Sequence, residues 1–97
     1  PDINELLSNP ETTKLPVEPS ANYAVASALS SKVREDQSHL PAALKVMARM
    51  GLEFGALLIT DLVSVCGRDV FKNPTAADWV AKNAAIFGSA RETRTSV

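Results

Sequence analysis

Residues 53–66 read Glu-Phe-Gly-Ala-Leu-Leu-Ile-Thr-Asp-Leu-Val-Ser-Val-Cys, and this segment dictates the architecture. A helix that is apolar on nearly every side belongs at the centre of a bundle. A buried strand is the alternative for residues 56–60, but the apolar run is too long for a typical strand and does not alternate. We therefore predict an all-α fold, a small bundle of four main helices with this one at its centre. Its apolar side chains are Phe54, Leu57, Leu58, Ile59, Leu62, Val63 and Val65.

The preceding helix is predicted over Leu40–Met50. Pro41 lies in its first turn, where the missing N–H costs nothing. Gly51 is expected to end this helix, because glycine readily adopts a positive φ. Lys45 and Arg49 share a polar face at a spacing of four residues. The apolar face carries Leu40, Ala43, Leu44, Met47 and Met50.

Another helix is predicted over Ala21–Val33, and a proline-rich arm leads into it. Pro10, Pro16 and Pro19 hold the arm extended, because each fixes its own φ and keeps its predecessor out of the α region. Ser20 is the expected N-cap, since its hydroxyl can accept from a first-turn N–H. The apolar positions of this helix are Val25, Ala28, Leu29 and Val33.

A short helix is predicted before the arm, with Asp2 and Glu5 as a capping box. Ile3, Leu6 and Leu7 form its apolar edge. Because two turns are not stable alone, we expect this edge to dock either on the bundle or on a neighbouring subunit or domain.

The last helix is predicted to follow a turn at residues 67–69, with either Asn73 or Thr75 as its N-cap. Gly88 is expected to end it. Its inward face carries Trp79, Val80, Asn83, Ile86 and Phe87. The resulting organisation is a short helix and arm over residues 1–19, a helical bundle over residues 20–88 and a flexible tail over residues 89–97.

Composition narrows the possible partners. The 97 residues suffice for one modest core, and their ten basic and eleven acidic side chains are dispersed along the chain. We therefore expect no nucleic-acid partner and no membrane partner, since neither a basic stripe nor an apolar run of about 20 residues is present. A DNA-binding helix-turn-helix across Gly51 is disfavoured, because its recognition helix would present Leu, Ile and Val to the bases.

The side chains that could act as nucleophiles, bases or metal ligands are not grouped in the sequence. His39 stands alone, and Cys66 lies in an apolar run, where a buried and inert thiol is expected. Asp61 falls within the apolar central helix and is expected to pair with Arg68 or Lys72. With no phosphate-binding loop and no metal-ligand spacing, we predict no catalytic, cofactor-binding or metal-binding residues and no enzymatic activity for this chain alone.

Read from end to end, the chain resembles the C-terminal segment of a MoxR-type AAA+ ATPase, after the nucleotide-binding core and lid. The residues that carry the resemblance are Pro1-Asp-Ile-x-Glu-Leu-Leu, Asn9-Pro10-Glu, Pro16-x-x-Pro19-Ser20, Tyr23-Ala24-Val25-Ala26, Arg49-Met-x-x-Glu53-Phe54, Leu57-Leu58, Asp61 and Trp79.

The resemblance implies a cytoplasmic parent protein that hydrolyses ATP with Mg²⁺ in its upstream core and remodels partner proteins, usually as a hexamer. This chain would then be an accessory helical domain whose partners are the AAA+ core of the same polypeptide, a neighbouring subunit or a client protein. The alternative is a free-standing helical adaptor or protein-interaction module.

Overall fold

A computed structural model describes residues 2–83, and its regular structure there is helical throughout, without a strand. This confirms the predicted all-α bundle. The α-helices are α1 (Ile3–Ser8), α2 (Pro19–Glu35), α3 (Leu40–Arg49), α4 (Leu52–Cys66) and α5, which includes residues 74–83. Two 3-10 helices, Gln37–His39 and Gly67–Lys72, precede α3 and α5.

Helix α4 occupies the centre of the bundle, as its sequence predicts. It packs against α2, α3 and the 3-10 helix Gly67–Lys72. Leu58 and Leu62 are completely buried on α4, where they meet Leu29 of α2 and Leu44 of α3 in one apolar core. The same core also takes in Leu6 of α1 and both Ala76 and Trp79 of α5.

Helix α2 begins at Pro19, so the prediction that Ser20 caps it is wrong. Pro19 suits the first helical position, because its φ is preset and its missing N–H would have no helical partner there. Glu18 is the N-cap residue, and its side chain makes no capping hydrogen bond. The side-chain amide of Asn22 instead fixes the entry by donating to the Pro16 carbonyl at 2.6 Å.

The junction between α3 and α4 also differs from the prediction. Gly51 has a φ of −63° and is the N-cap residue of α4, so it is not a left-handed terminator of α3. Met50 is extended and 8% exposed, so two extended residues make the turn while the Met50 side chain stays in the core. Gly67 is the described glycine with a positive φ, 68°, and it ends α4.

Helix α1 docks on the bundle of its own chain, which is the first of the two predicted alternatives. Asp2 caps it by accepting from the backbone N–H of Asn4 at 2.9 Å. Leu6 is completely buried, and α1 contacts both α2 and α3.

Contrary to the prediction, the arm is not extended throughout, because residues 9–13 form a turn in which the N–H groups of Thr12 and Thr13 donate to the Asn9 carbonyl. It lies along the polar face of α3 that Lys45 and Arg49 share. The Arg49 guanidinium donates to the Pro10 carbonyl, and Lys45 Nζ lies 3.5 Å from Glu11 Oε1. The two basic residues that the sequence groups on one face thus hold the arm in place.

Helix α5 starts at the predicted place. Asn73 is its cap, because its side-chain oxygen accepts from the Thr75 N–H at 2.9 Å. Trp79 is 7% exposed and packs on α4, whereas the predicted contributions of Ile86, Phe87 and Gly88 and the tail lie outside the described residues.

Candidate functional site

The titratable side chains of residues 2–83 are dispersed over the surface. No three or more His, Cys, Asp or Glu side chains among them gather closely enough to hold a metal ion. No buried side-chain nitrogen or oxygen in this part of the chain lacks a hydrogen-bond partner. The described residues therefore offer neither a metal-binding cluster nor an unsatisfied buried polar group pointing at a ligand.

Asp61 is not paired with either of the cations predicted for it. One of its carboxylate oxygens accepts from the Ser30 hydroxyl of α2 at 3.3 Å. Lys72 lies 3.0 Å from Asp69 instead, and Arg68 makes no ion pair with Asp61. Because Asp61 is half-buried, its carboxylate keeps access to water and needs no cation. The residue links α2 to α4.

Cys66 is half-buried at the end of α4, not fully buried as predicted. Partial burial raises the pKa of its thiol, and the nearby Asp69 carboxylate raises it further. Since the thiolate is the nucleophile, both effects lower the reactivity of this cysteine.

His39 lies in the 3-10 helix directly before α3, as a half-buried residue near a helix start. The neighbouring Asp36 accepts from the backbone N–H of Ser38 at 3.0 Å. This hydrogen bond, together with one from the Ser38 side chain and the nearby His39, lowers the pKa of the Asp36 carboxyl. The hydrogen bonds to Asp36 order the α2–α3 connection.

A concave surface lies between α4, α5 and the 3-10 helix Gly67–Lys72. We call it the α4–α5 groove, and its volume is about 270 Å³. The lining residues are Ile59, Thr60, Val63, Phe71, Trp79 and Val80.

The α4–α5 groove is apolar nearly throughout. Phe71 lies on one side of the groove and is 42% exposed, whereas Trp79 is buried, with 7% of its surface exposed. The hydroxyl of Thr60 donates to the Ala56 carbonyl at 2.8 Å, so its hydrogen is already used within α4. Its lining carries no charged side chain, and such a surface can take up apolar side chains of another protein.

Sequence reasoning missed Phe71. This residue follows Val70, which is completely buried in the same 3-10 helix. One phenylalanine among Arg68, Asp69 and Lys72 is the signal that was available, because a large apolar side chain in a charged segment either anchors that segment or faces a partner.

Exposed apolar surface continues beyond the groove. Leu57 on α4 is 38% exposed and lies one helical turn before Thr60. The central helix therefore buries one side in the core and leaves part of the other uncovered within residues 2–83.

Comparison of the chain with protein-family models, with curated proteins and with solved structures finds no match. No helix among the described residues is both long enough and apolar enough to cross a bilayer.

Proposed function

We propose that this chain is an accessory helical domain that packs on another protein surface through the α4–α5 groove. The observation that carries the proposal is an apolar groove on the central helix, flanked by the exposed Phe71 side chain. Apolar surface of this kind marks protein–protein contacts more often than catalysis when no convergent polar groups accompany it.

We propose further that the parent of this domain is a MoxR-type AAA+ ATPase. Three of the residues behind the resemblance occupy positions that hold the fold together. Pro10 accepts from Arg49, Asp61 accepts from Ser30, and Trp79 packs over Gly55. Contacts of this kind are what a shared accessory fold would preserve, and the ATP-handling residues would lie upstream.

The surface that fills the groove is, on this proposal, the ATPase core of the same polypeptide or of a neighbouring subunit. The first test is the reading frame upstream of Pro1, where we expect a G-x-x-x-x-G-K-[ST] loop and a Walker B carboxylate. A frame without these motifs would refute the ATPase parent.

The second test uses the full-length protein with Phe71→Ser. This change removes an exposed apolar side chain from the groove and should weaken subunit assembly, measured by sedimentation velocity in the presence of Mg-ATP. Tyr23→Ser is the matched control, because Tyr23 is 58% exposed on α2, away from the groove. Equal assembly of the two variants would exclude a groove that is filled by a neighbouring subunit.

A free-standing interaction module is the second candidate. The observation that favours it is the shared core, to which Leu6 and Trp79 both belong although they lie at opposite ends of the described chain. Both candidate functions use the α4–α5 groove, and they differ in whether the chain is part of a larger ATPase. Neither assigns a nucleotide site to this chain, so we expect no stoichiometric heat when Mg-ATP is titrated into it.

A further inference from the structure

Helix α1 is attached to the bundle by few contacts. Leu6 is its one completely buried side chain, while Ile3 and Leu7 are half-buried. A helix of six residues does not form alone in water, so α1 depends on the surface that receives it. We call that surface of α2 and α3, against which Leu6 is buried, the α1-binding surface.

The polar contacts that fasten the arm lie in water. The Lys45 and Glu11 side chains are 49% and 72% exposed, and exposed ion pairs contribute little. The bond from Arg49 to the Pro10 carbonyl is exposed as well. Nothing in these contacts prevents the arm from lifting.

Helix α1 also leaves part of its binding surface unfilled. A cleft of about 310 Å³ lies beside Ile3, against the α2 residues Ala21, Ala24, Val25 and Ala28. Three of these side chains are single methyl groups, so the fit between α1 and α2 is loose. Incomplete packing lowers the cost of undocking.

The arm is longer than the connection within one chain requires. Residues 9–18 join two helices that already touch each other. Fully extended, ten residues span about 33 Å. Residues 9–13 instead close into a turn, in which the N–H groups of Thr12 and Thr13 donate to the Asn9 carbonyl, so the arm has length to spare. The arm can therefore deliver α1 to the binding surface of a neighbouring molecule.

We propose that the α1-binding surface accepts α1 from a second copy of this chain, giving a symmetric dimer in which the two copies exchange α1. When α1 undocks, Leu6 and the α1-binding surface are exposed together. A second copy with its α1 undocked can cover both. The contacts of α1 are the same within one chain and between two chains, so they contribute equally to the monomer and to the dimer. The protein concentration therefore decides which of the two forms is populated. A short linker gives α1 an effective concentration in the millimolar range, which places the dissociation constant of the dimer there too.

The probe for this exchange is a labelled peptide of residues 1–18, titrated with the full chain and followed by fluorescence anisotropy. The chain's own α1 competes with the peptide, so the apparent dissociation constant falls as that α1 is weakened. Leu6→Ala in the protein should tighten peptide binding at least tenfold. Glu11→Ala, which removes only an exposed charge and leaves folding intact, should tighten it by a smaller factor.

Three controls define the result. A Leu6→Asp peptide should not bind, and Phe71→Ser in the protein should leave peptide affinity unchanged, since the α4–α5 groove is a different surface. In sedimentation equilibrium at millimolar concentration the unsubstituted chain should dimerise and the Leu6→Asp chain should not. Peptide binding that is absent or equal in all variants overturns the exchange, and so does a chain that stays monomeric. Loss of peptide binding in Phe71→Ser would assign the peptide to the groove instead.

Discussion

Gly55 on α4 lies directly against the indole of Trp79. A Cβ built on Gly55 would stand 2.8 Å from Trp79 Cζ2, closer than real Cβ atoms approach other heavy atoms. The backbone of Gly55 is helical and would accept any residue, so glycine is not required here by its conformation. It is required because α5 approaches closely. This contact explains how one tryptophan anchors α5 on the central helix.

Gly55→Ala should destabilise the protein although alanine is the better helix former. The helix gains about 1 kcal/mol from the substitution. Displacing a buried indole costs about 1–3 kcal/mol, so we expect a net loss of about 1 kcal/mol in the free energy of unfolding, measured by urea denaturation. Gly51→Ser is the control, since nothing lies within 4 Å of a Cβ there and serine suits an N-cap. A stabilised Gly55→Ala protein would show that the indole moves freely.

Cys66 offers a second prediction for a single residue. Burial and the Asp69 carboxylate raise the pKa of its thiol, which lowers the thiolate fraction at any given pH. The thiol should react more slowly with Ellman's reagent in the folded protein than in urea. Asp69→Asn should speed the folded reaction, because it removes the smaller of the two causes. Equal rates in the folded and unfolded protein would mean that the thiol is fully accessible.

Among the elements, the 3-10 helix Gln37–His39 depends on one carboxylate. Asp36 accepts from the Ser38 N–H, and the pKa of its carboxyl lies below the ordinary value of 3.8. A lowered pKa in the folded state means that the stabilisation is complete above the unfolded value and disappears as the pH falls through the folded value. The advantage of Asp36 over asparagine should therefore exist at neutral pH and vanish in acid.

The measurement is the difference in Tm between the unsubstituted protein and Asp36→Asn, at about pH 6 and about pH 2. Asparagine keeps the acceptor oxygen and removes only the charge, so other acid effects cancel in the difference. The same difference at both pH values would exclude a contribution from the charge of Asp36.

The helices themselves followed from the sequence where periodicity and helix-end chemistry agreed. Helix α3 was predicted over Leu40–Met50 and observed over Leu40–Arg49, because Pro41 marks its first turn and its apolar spacing is regular. Helix α2 was misplaced at its start, since Ser20 and Pro19 both suit a helix beginning and only the Asn22–Pro16 contact decides between them.

The candidate site was far less predictable. The partner of Asp61 is Ser30, a residue 31 positions away, and it became visible only when α2 was packed on α4. The exposure of Phe71 depends on the turn between α4 and α5, which places Val70 inward. Local sequence patterns predict neither the Asp61–Ser30 hydrogen bond nor the exposure of Phe71, because both depend on how whole helices pack.

At the scale of the whole molecule, one core unites α1 with the bundle. Leu6 belongs to the same apolar cluster as Leu58 and Leu62, although the arm separates α1 from the other helices in sequence. Truncating Leu6 therefore removes packing from the whole domain. Large-to-small changes at fully buried leucines cost about 2–5 kcal/mol. That is a large share of a domain stability that lies between about 5 and 15 kcal/mol.

Leu6→Ala should accordingly lower the urea midpoint and the Tm strongly, and by the same amount at every micromolar concentration, because α1 docks within its own chain there. Leu57→Ala is the matched control, since that leucine is 38% exposed and its truncation should cost under about 1 kcal/mol. Thermal unfolding at two protein concentrations, with both variants, separates the outcomes. A loss of stability that grew as the protein was diluted would mean that α1 already docks on another molecule at micromolar concentration. Equal effects of the two substitutions would mean that Leu6 is not part of the core.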